Sequence, residues 1–522
     1  MLPVDFTEHM RTLFGSESDE LFTALEGERT YALRANTLKI SPDGLRQLLS
    51  YLDEPVPWCD EGFYYNVEAP DKDRKSLSDS ASDANERSIR PAKSPYYHAG
   101  LFYPQEPSAM LPAAIAGIKP GLRVLDMCAS PGGKTTQAAA YMARSGHLVS
   151  NDINASRIPA LIKNCERLGL TNVTVLNENP QRLTQVFPNY FDIVLLDAPC
   201  SGEGMFRKDI SSTAEWQKHK PAYCASIQRP LLRQAAMMTK PGGQIIYSTC
   251  TFETCENEDI IEDFLTGERD FSLMPLDYKS LGISEGFIKN TGRVLPHRQR
   301  GEGHFVCALR KDHKASPSQG LDVDAQYRTG APSAWSKQGL GKRIPFREGQ
   351  SPSDAQIKGV DFFYDFCNNN LHNRYEWRLL SYGNALYHVP PDLPNLRGVR
   401  VSRPGWHLGF IKDKRFEPSH AFAMGLLTSD AIRSLRLNVS DRLLSCFLKG
   451  ESFEVDCDDG WVLVCVKAVC ASAKVCADSN ACAGAYDDVC VNADGNAYPL
   501  GWGKVKNGRL KNKLPPGLTV NR

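Results

Sequence analysis

What most constrains this chain is a series of five short apolar runs. They are "LRVLDMC" (122–128), "HLVSNDI" (147–153), "VTVLN" (173–177), "FDIVLLDAP" (191–199) and "GGQIIYSTCT" (242–251). Helical patterns such as "ASRIPALIKNCERLG" (155–169) lie between several of them. Strand and helix alternating in this way predict a parallel α/β sheet. A helix should start near Glu256. "GRVLPH" and "GHFVCALRK" (303–311) then read as a closing antiparallel pair.

A length of 522 residues suggests about three domains. Residues 1–68 form an opening module, in which a helix-like start gives way to the strand and turn of "TYALRANTLKI". Residues 70–95 are polar and Ser/Asp-rich, which predicts a disordered insertion closing a first unit at residue 95. The α/β unit is expected over 96–311, a polar connector over 312–355, and further globular units over 356–430 and 431–522. The apolar runs fall well short of the ~20 residues of a membrane span. "MLPVDFTEHM" places acids where an export signal wants bases. The chain is therefore expected to be cytoplasmic, away from membranes, and monomeric. Its 16 cysteines include no C-x-x-C pair, which predicts reduced thiols and no metal. Formal net charge is zero, so a polyanion would have to be met by a local basic patch.

"VLDMCASPGGKTTQAA" sets a strand before a tight Gly/Pro turn and a helix. Ligands of doubly wound sheets sit at such turns, and small residues let backbone approach them closely. A phosphate loop would need Gly five residues before Gly133, where Cys128 stands. The Gly-x-Gly-x-x-Gly of a nicotinamide site is also absent. A plain turn remains an alternative. Asp152, however, follows the second strand about 20 residues after the Gly turn, where an acid holds a nucleoside ribose. A nucleoside cofactor without a phosphate requirement fits, such as S-adenosylmethionine. Asn179, after the third strand, is placed to reach its adenine.

"LLDAPCSGEGMFRKD" puts Asp197 and Cys200 at the mouth of the fourth strand, and Cys250 lies at the mouth of the fifth. A single Cys reads as a buried small hydrophobe. Two cysteines and an acid at neighbouring strand ends, beside a cofactor loop, point to catalysis. C5 of a pyrimidine is not nucleophilic; a thiolate adding at C6 makes it so, and covalent catalysis splits one hard step into easier ones. Asp197, protonated or linked through water, would hold the N3/N4 edge of cytosine. Spacing alone does not rank the two thiols, nor show what ionises Cys250.

"DMCASPGGKT", "NDINASR", "LLDAPCSGEGMFRKD" and "STCTFETCENE", with the upstream "HAGLFYPQEPSAMLP", resemble the Sun/Fmu-type RNA cytosine-5 methyltransferases. "RPGWHLGFIKDKRFEPSHAFAM" and "YPLGWGKVKNGRLKN" resemble the bacterial RsmF (YebU-like) branch, which acts on 16S rRNA. The resemblance implies a Rossmann-like, S-adenosylmethionine-dependent core over 96–311. It implies an RNA-binding-like N-terminal module over 1–95, an intermediate RsmF-type domain over 356–430 and a PUA-like RNA-binding domain over 431–522. It implies a cofactor pocket lined by Cys128, Ala129, Ser130, Pro131, Gly132, Gly133 and Lys134. Asp152 would hold the ribose, with Arg157, Asn179 and Asp197 completing the pocket. Cys250 would be the nucleophile and Cys200 would release the adduct. Asn179 departs from an acid common at its position, and Lys208 would touch the target nucleotide.

The target base must be single-stranded or flipped out. Backbone affinity is expected from Lys412, Lys414 and Arg415 and from the tail residues Lys504, Lys506, Arg509, Lys511 and Lys513, with Trp406 and Trp502 stacking on bases. A solvated charged face is the bland alternative. Cysteines 465, 470, 476, 482 and 490 read as packing or a variable loop. The reading that follows is cytosine-5 methylation of 16S rRNA. Its rivals are the same chemistry on tRNA and a non-catalytic assembly factor, which would need neither thiol.

Overall fold

The five apolar runs become parallel or parallel-fed strands of one sheet. In the computed structural model the described residues are 2–67, 89–207, 213, 216, 220–314, 357–372, 375–391, 393–396, 398–468 and 497–520. Strands β1 (Ala32–Ala35), β2 (Leu52–Val56), β3 (Cys59–Tyr65) and β4 (Phe102–Pro104) form a first antiparallel sheet in the order β2-β3-β1-β4. It follows the helices Val4–Phe14 and Ser18–Glu26. Because β4 pairs with β1, the boundary expected at residue 95 cuts through this sheet. Part of the expected insertion is also ordered. Ile89 is buried and donates its N–H to the Val67 carbonyl (2.8 Å). The rest of that insertion, most of the 312–355 connector, cysteines 470, 476, 482 and 490, and Lys208 lie outside the described residues.

The central strands are β5 (Arg123–Asp126), β6 (His147–Asn151), β7 (Val173–Leu176), β8 (Phe191–Asp197), β9 (Thr239–Thr249), β10 (Phe271–Leu273), β11 (Ser284–Glu285), β12 (Thr291–Val294) and β13 (His304–Lys311). Strands β7-β6-β5-β8-β9 pair in parallel, and β13, β12 and β11 extend the β9 edge antiparallel. Apolar cores fill both faces. Leu161, Ala138 and Ala139, from the helices Gly133–Tyr141 and Ile158–Arg167, pack on one. Leu232, Ala235 and Phe264, from Pro221–Met238 and Glu258–Gly267, pack on the other. Cover on both faces is why these strands read as continuous apolar runs. Chain order reverses between β5 and β8, so a crevice opens at their carboxyl ends.

The C-terminal strands are β14 (Leu379–Tyr382), β15 (Ala385–His388), β16 (Val401–Arg403), β17 (Trp406–Lys412) and β18 (Arg415–Pro418), then β19 (Ser434–Leu437), β20 (Phe453–Glu454), β21 (Gly460–Lys467), β22 (Ala497–Lys506) and β23 (Arg509–Asn512). They build the sheets β14-β15-β17-β18 and β19-β21-β22-β23-β20. Strand β16 leaves its neighbours and pairs antiparallel with β7 at the edge of the central sheet, so this region is joined to the core by backbone hydrogen bonds. No helix among the described residues is long and apolar enough to cross a membrane.

Candidate active site

The cofactor loop begins where β5 ends. Its backbone is tied to both neighbouring strands: Met127 N–H donates to the Leu195 carbonyl (3.0 Å) and Ala129 N–H to the Asn151 carbonyl (2.8 Å). Gly132 has φ 109°, a left-handed conformation that favours glycine, and a Cβ there would stand 3.0 Å from Leu161 Cδ1. Ala129 and Ser130 are buried, and the Ser130 hydroxyl has no hydrogen-bond partner among the described residues. Cys128 is pushed up by burial and nearby carboxylates.

Lys134 explains why "GGKTT" is not a phosphate loop. Its ammonium lies 2.7 Å from Asp197 Oδ2, and Thr135 donates to Asp126 Oδ2 (2.6 Å). Both side chains that would serve phosphate or metal are thus engaged inside the protein. Burial alone would raise the Asp197 carboxyl, but Lys134, His304 and the Ser248 hydroxyl (2.8 Å) together hold it below the ordinary range. Of the two forms of Asp197 left open by the sequence, protonated or linked through water, the lowered carboxyl disfavours the protonated one; as a carboxylate it meets a base edge as an acceptor or through water.

Asp152 is buried and accepts from the N–H groups of Ser130 (3.1 Å) and Asn154 (2.8 Å). Arg157 stands 3.6 Å away and donates to the Ser130 carbonyl, closing the loop against the β6 end. Asn179 caps the helix Pro180–Val186, its Oδ1 accepting from Gln181 N–H (2.9 Å). Its amide nitrogen and the second lone pair of Oδ1 remain to address an adenine. The adjacent acid, Glu178, is paired with Arg400 (2.9 Å). Asp126 is fully buried, with one oxygen lacking a partner among the described residues, and burial pushes it up to about 7. His304 is also buried, pushed down to about 4 by burial, and both its ring nitrogens lack hydrogen-bond partners among the described residues. Sequence reading missed both residues: the first is hidden in a strand and the second lies on the closing hairpin. Acids converging on a pocket with no free phosphate-binding side chain suit a nucleoside carrying a positive sulfonium. S-adenosylmethionine fits this donor set.

Parallel pairing of β8 with β9 sets Asp197 opposite Ser248, and the two loops that follow bring the thiols together. Cys200 Sγ and Cys250 Sγ are 3.3 Å apart, and Cys250 N–H also points at Cys200 Sγ (3.3 Å). Contact with Cys250, then burial, pushes the Cys200 thiol well above its ordinary value. Either sulfur can be the donor in this contact, so the two thiols form one hydrogen-bonded pair at the crevice. Three acids lie behind the pair. Burial pushes Glu203 up to about 8, and Glu253 and Glu256 each to about 7. Glu203 accepts from Trp216 Nε1 (2.9 Å), Thr251 Oγ1 (2.9 Å) and Phe252 N–H (3.1 Å). Glu253 meets His9 of the first helix (3.0 Å).

The tail needs correcting. Trp406 is 3% exposed and donates Nε1 to the Ala421 carbonyl, and Trp502 is 2% exposed. Both rings pack on Phe422, and neither offers a face to a base. Half-buried Trp461, opposite Lys504 on β21, carries the Lys504 and Lys513 ammoniums 5.4 and 5.5 Å from its ring centroid. Lys504, Lys506, Arg509 and Lys511 are exposed, as are Lys412, Lys414 and Arg415. Lys412 and Arg415 share Glu417 (2.7 and 2.9 Å). The field at Lys513 includes Glu417, Lys511, Lys504 and Arg415, so the β17–β18 and β22–β23 hairpins converge on one basic face. Cys465 is fully buried in β21, as packing predicts.

A family model described as 16S rRNA methyltransferase RsmB/F matches residues 114–310. The N-terminal domain of 16S rRNA methyltransferase RsmF matches 2–107, and the RsmF rRNA methyltransferase first C-terminal domain matches 365–426. Ribosomal RNA small subunit methyltransferase F of Erwinia tasmaniensis is 32% identical over 457 residues, covering 84% of this chain and 86% of that protein. The chain belongs to the ribosomal RNA small subunit methyltransferase F family. The Escherichia coli O9:H4 (strain HS) member is likewise 32% identical, over 83% of this chain and 85% of its own length. Among solved structures, NSun6 from Pyrococcus horikoshii with SFG superposes at a TM-score of 0.50 with 24% identity, covering 60% of this chain and 99% of that one, a likeness of fold. The α/β, Rossmann-like methyltransferase core and its S-adenosylmethionine cofactor follow from this membership.

Proposed function

We infer that this chain is an S-adenosylmethionine-dependent RNA (cytosine-5) methyltransferase acting on 16S rRNA, with Cys250 as nucleophile and Cys200 as the group that releases the adduct. The observation that carries the reading is the 3.3 Å contact between two reduced thiols at the ends of adjacent parallel strands, beside the cofactor loop. Its relatives named for small-subunit rRNA favour that substrate over tRNA.

The cofactor supplies an electrophilic methyl group. Cys250 Sγ adds as thiolate to C6 of a flipped cytosine, C5 becomes enamine-like, and C5 would then bond the cofactor's methyl as the sulfonium C–S bond breaks and the neutral thioether leaves. Asp197, ionised beside Lys134, accepts from the N4 amine and orients the ring. Cys200 then loses its proton to solvent and takes the C5 proton. The C5–H electron pair re-forms C5=C6 and expels Cys250 as thiolate. Substrate RNA lies along the basic face of the C-terminal hairpins, phosphates on Lys504, Lys511 and Lys513 and a base on Trp461. Lys412, Lys414, Arg415, Lys506 and Arg509 extend the same face.

Bisulfite mapping of 16S rRNA from cells with and without the gene tests the activity: one or more cytosines should lose protection in the deletion. Cys200→Ala should trap a covalent protein–RNA complex on a denaturing gel, and Cys250→Ala should form none. The reverse pattern would exchange the two roles.

A further inference from the structure

The motif "STCTFETCENE" ends in Glu256-Asn257-Glu258, to which neither the family resemblance nor the covalent mechanism assigns a role, yet each of these side chains grips a different part of the thiol site. Glu256 is fully buried, and its carboxylate accepts from Ser201 N–H (3.0 Å), from the Ser201 hydroxyl and from Gln228 Nε2 (2.8 Å). Ser201 follows Cys200 directly in the chain. Asn257 is also fully buried; its Oδ1 accepts from Thr249 Oγ1 and its Nδ2 donates to the Thr251 carbonyl (3.0 Å). Those two residues flank Cys250. Glu258 pairs with Arg293, whose Nη1 donates to the Phe252 carbonyl (2.8 Å). A hydroxyl contact joins the loops, Ser201 Oγ to Thr251 Oγ1 (2.8 Å).

We propose that Glu256 is the positioning residue of the release step, holding the Cys200 loop at its distance from Cys250 by gripping Ser201, while Asn257 independently fixes the Cys250 loop. The proposal rests on the assignment of Cys250 as nucleophile and Cys200 as release group. It separates two steps. Loosening Ser201 displaces the sulfur that takes the C5 proton but leaves the attacking sulfur braced by Asn257. Adduct formation then proceeds and its breakdown lags.

Glu256→Gln tests this, because an amide nitrogen in place of Oε1 cannot accept from the Ser201 hydroxyl, which must give up that donation and turn to accept. In full-length protein with Cys200 intact, incubated with 16S rRNA and S-adenosylmethionine, Glu256→Gln should accumulate covalent protein–RNA complex. Turnover should slow by roughly tenfold, the scale of one lost hydrogen bond to a charged group, with KM for RNA unchanged. Ser201→Ala should shift the same way to a smaller extent. Asn257→Ala should instead reduce the complex formed in a Cys200→Ala background. A Glu256→Gln protein that loses activity without accumulating complex, or matches the wild type, overturns the proposal. If circular dichroism shows that Glu256→Gln does not fold, Ser201→Ala decides: no accumulation overturns it. A Cys200→Ala protein that traps nothing defeats the underlying role assignment instead.

Discussion

Two pairs of side chains stood out in the sequence as functional, and they met opposite fates. Cys200 and Cys250, 50 residues apart, lie 3.3 Å apart at the crevice. Trp406 and Trp502, each beside lysines, turned inward and pack on Phe422. The cysteines follow two adjacent parallel strands, and parallel register carries whatever follows such strands to the same edge. The tryptophans lie within strands, where orientation depends on what covers the face. Trp502, Lys504 and Lys506 share one strand face by period two. Phe366 and Phe422 cover only the Trp502 end of it, leaving the lysines in water.

Replacing one member of each pair should widen this contrast. Cys250→Ala should abolish methylation, by at least ~10³-fold, without altering the unfolding curve, as measured by methyl incorporation and thermal denaturation. Trp502→Ala should leave a cavity and cost about 3–5 kcal/mol in denaturant unfolding. A Trp502→Ala protein of wild-type stability that bound RNA poorly would reinstate the stacking role. Trp461→Ala should weaken RNA binding by about tenfold, consistent with ~1–3 kcal/mol per stacked base, and leave stability unchanged. Fluorescence anisotropy at fixed salt measures this.

The smallest effect concerns pH. Glu203 is raised from 4.5 to about 8, so its contribution to stability is complete below pH 4.5 and is lost as pH rises through 8. Histidines such as His147 and His304, lowered from 6.5, act below pH 6.5 and leave the upper window clear. Stability should fall between pH 6.5 and 8, and Glu203→Gln should lessen that fall, to which Asp126, Glu253 and Glu256, each raised to about 7, also contribute.

Much of the site was legible because chemistry and chain order coincide there. Asp152, Asp197, Cys200 and Cys250 all stand at strand ends of a doubly wound sheet. Lys134 was legible as a loop residue, but its ion pair with Asp197 was not, since that pair joins the helix after β5 to the end of β8, far apart in the chain. Glu203, Glu256 and His304 went unread because an acid or histidine in a polar stretch looks solvated until burial is known. The boundary at residue 95 failed for a similar reason: Phe102–Pro104 reads as lead-in to the next unit, yet its backbone pairs with β1.

The sequence by itself determined the alternation of strands and helices, the cofactor turn and the two thiols at strand ends, because each depends on local periodicity or on positions a few residues apart. Tertiary structure alone decided how closely the two sulfurs approach, which tryptophans face water, and that two distant hairpins share one basic face. Those outcomes depend on burial and on fields from residues remote in the chain, and neither quantity exists until the chain has folded.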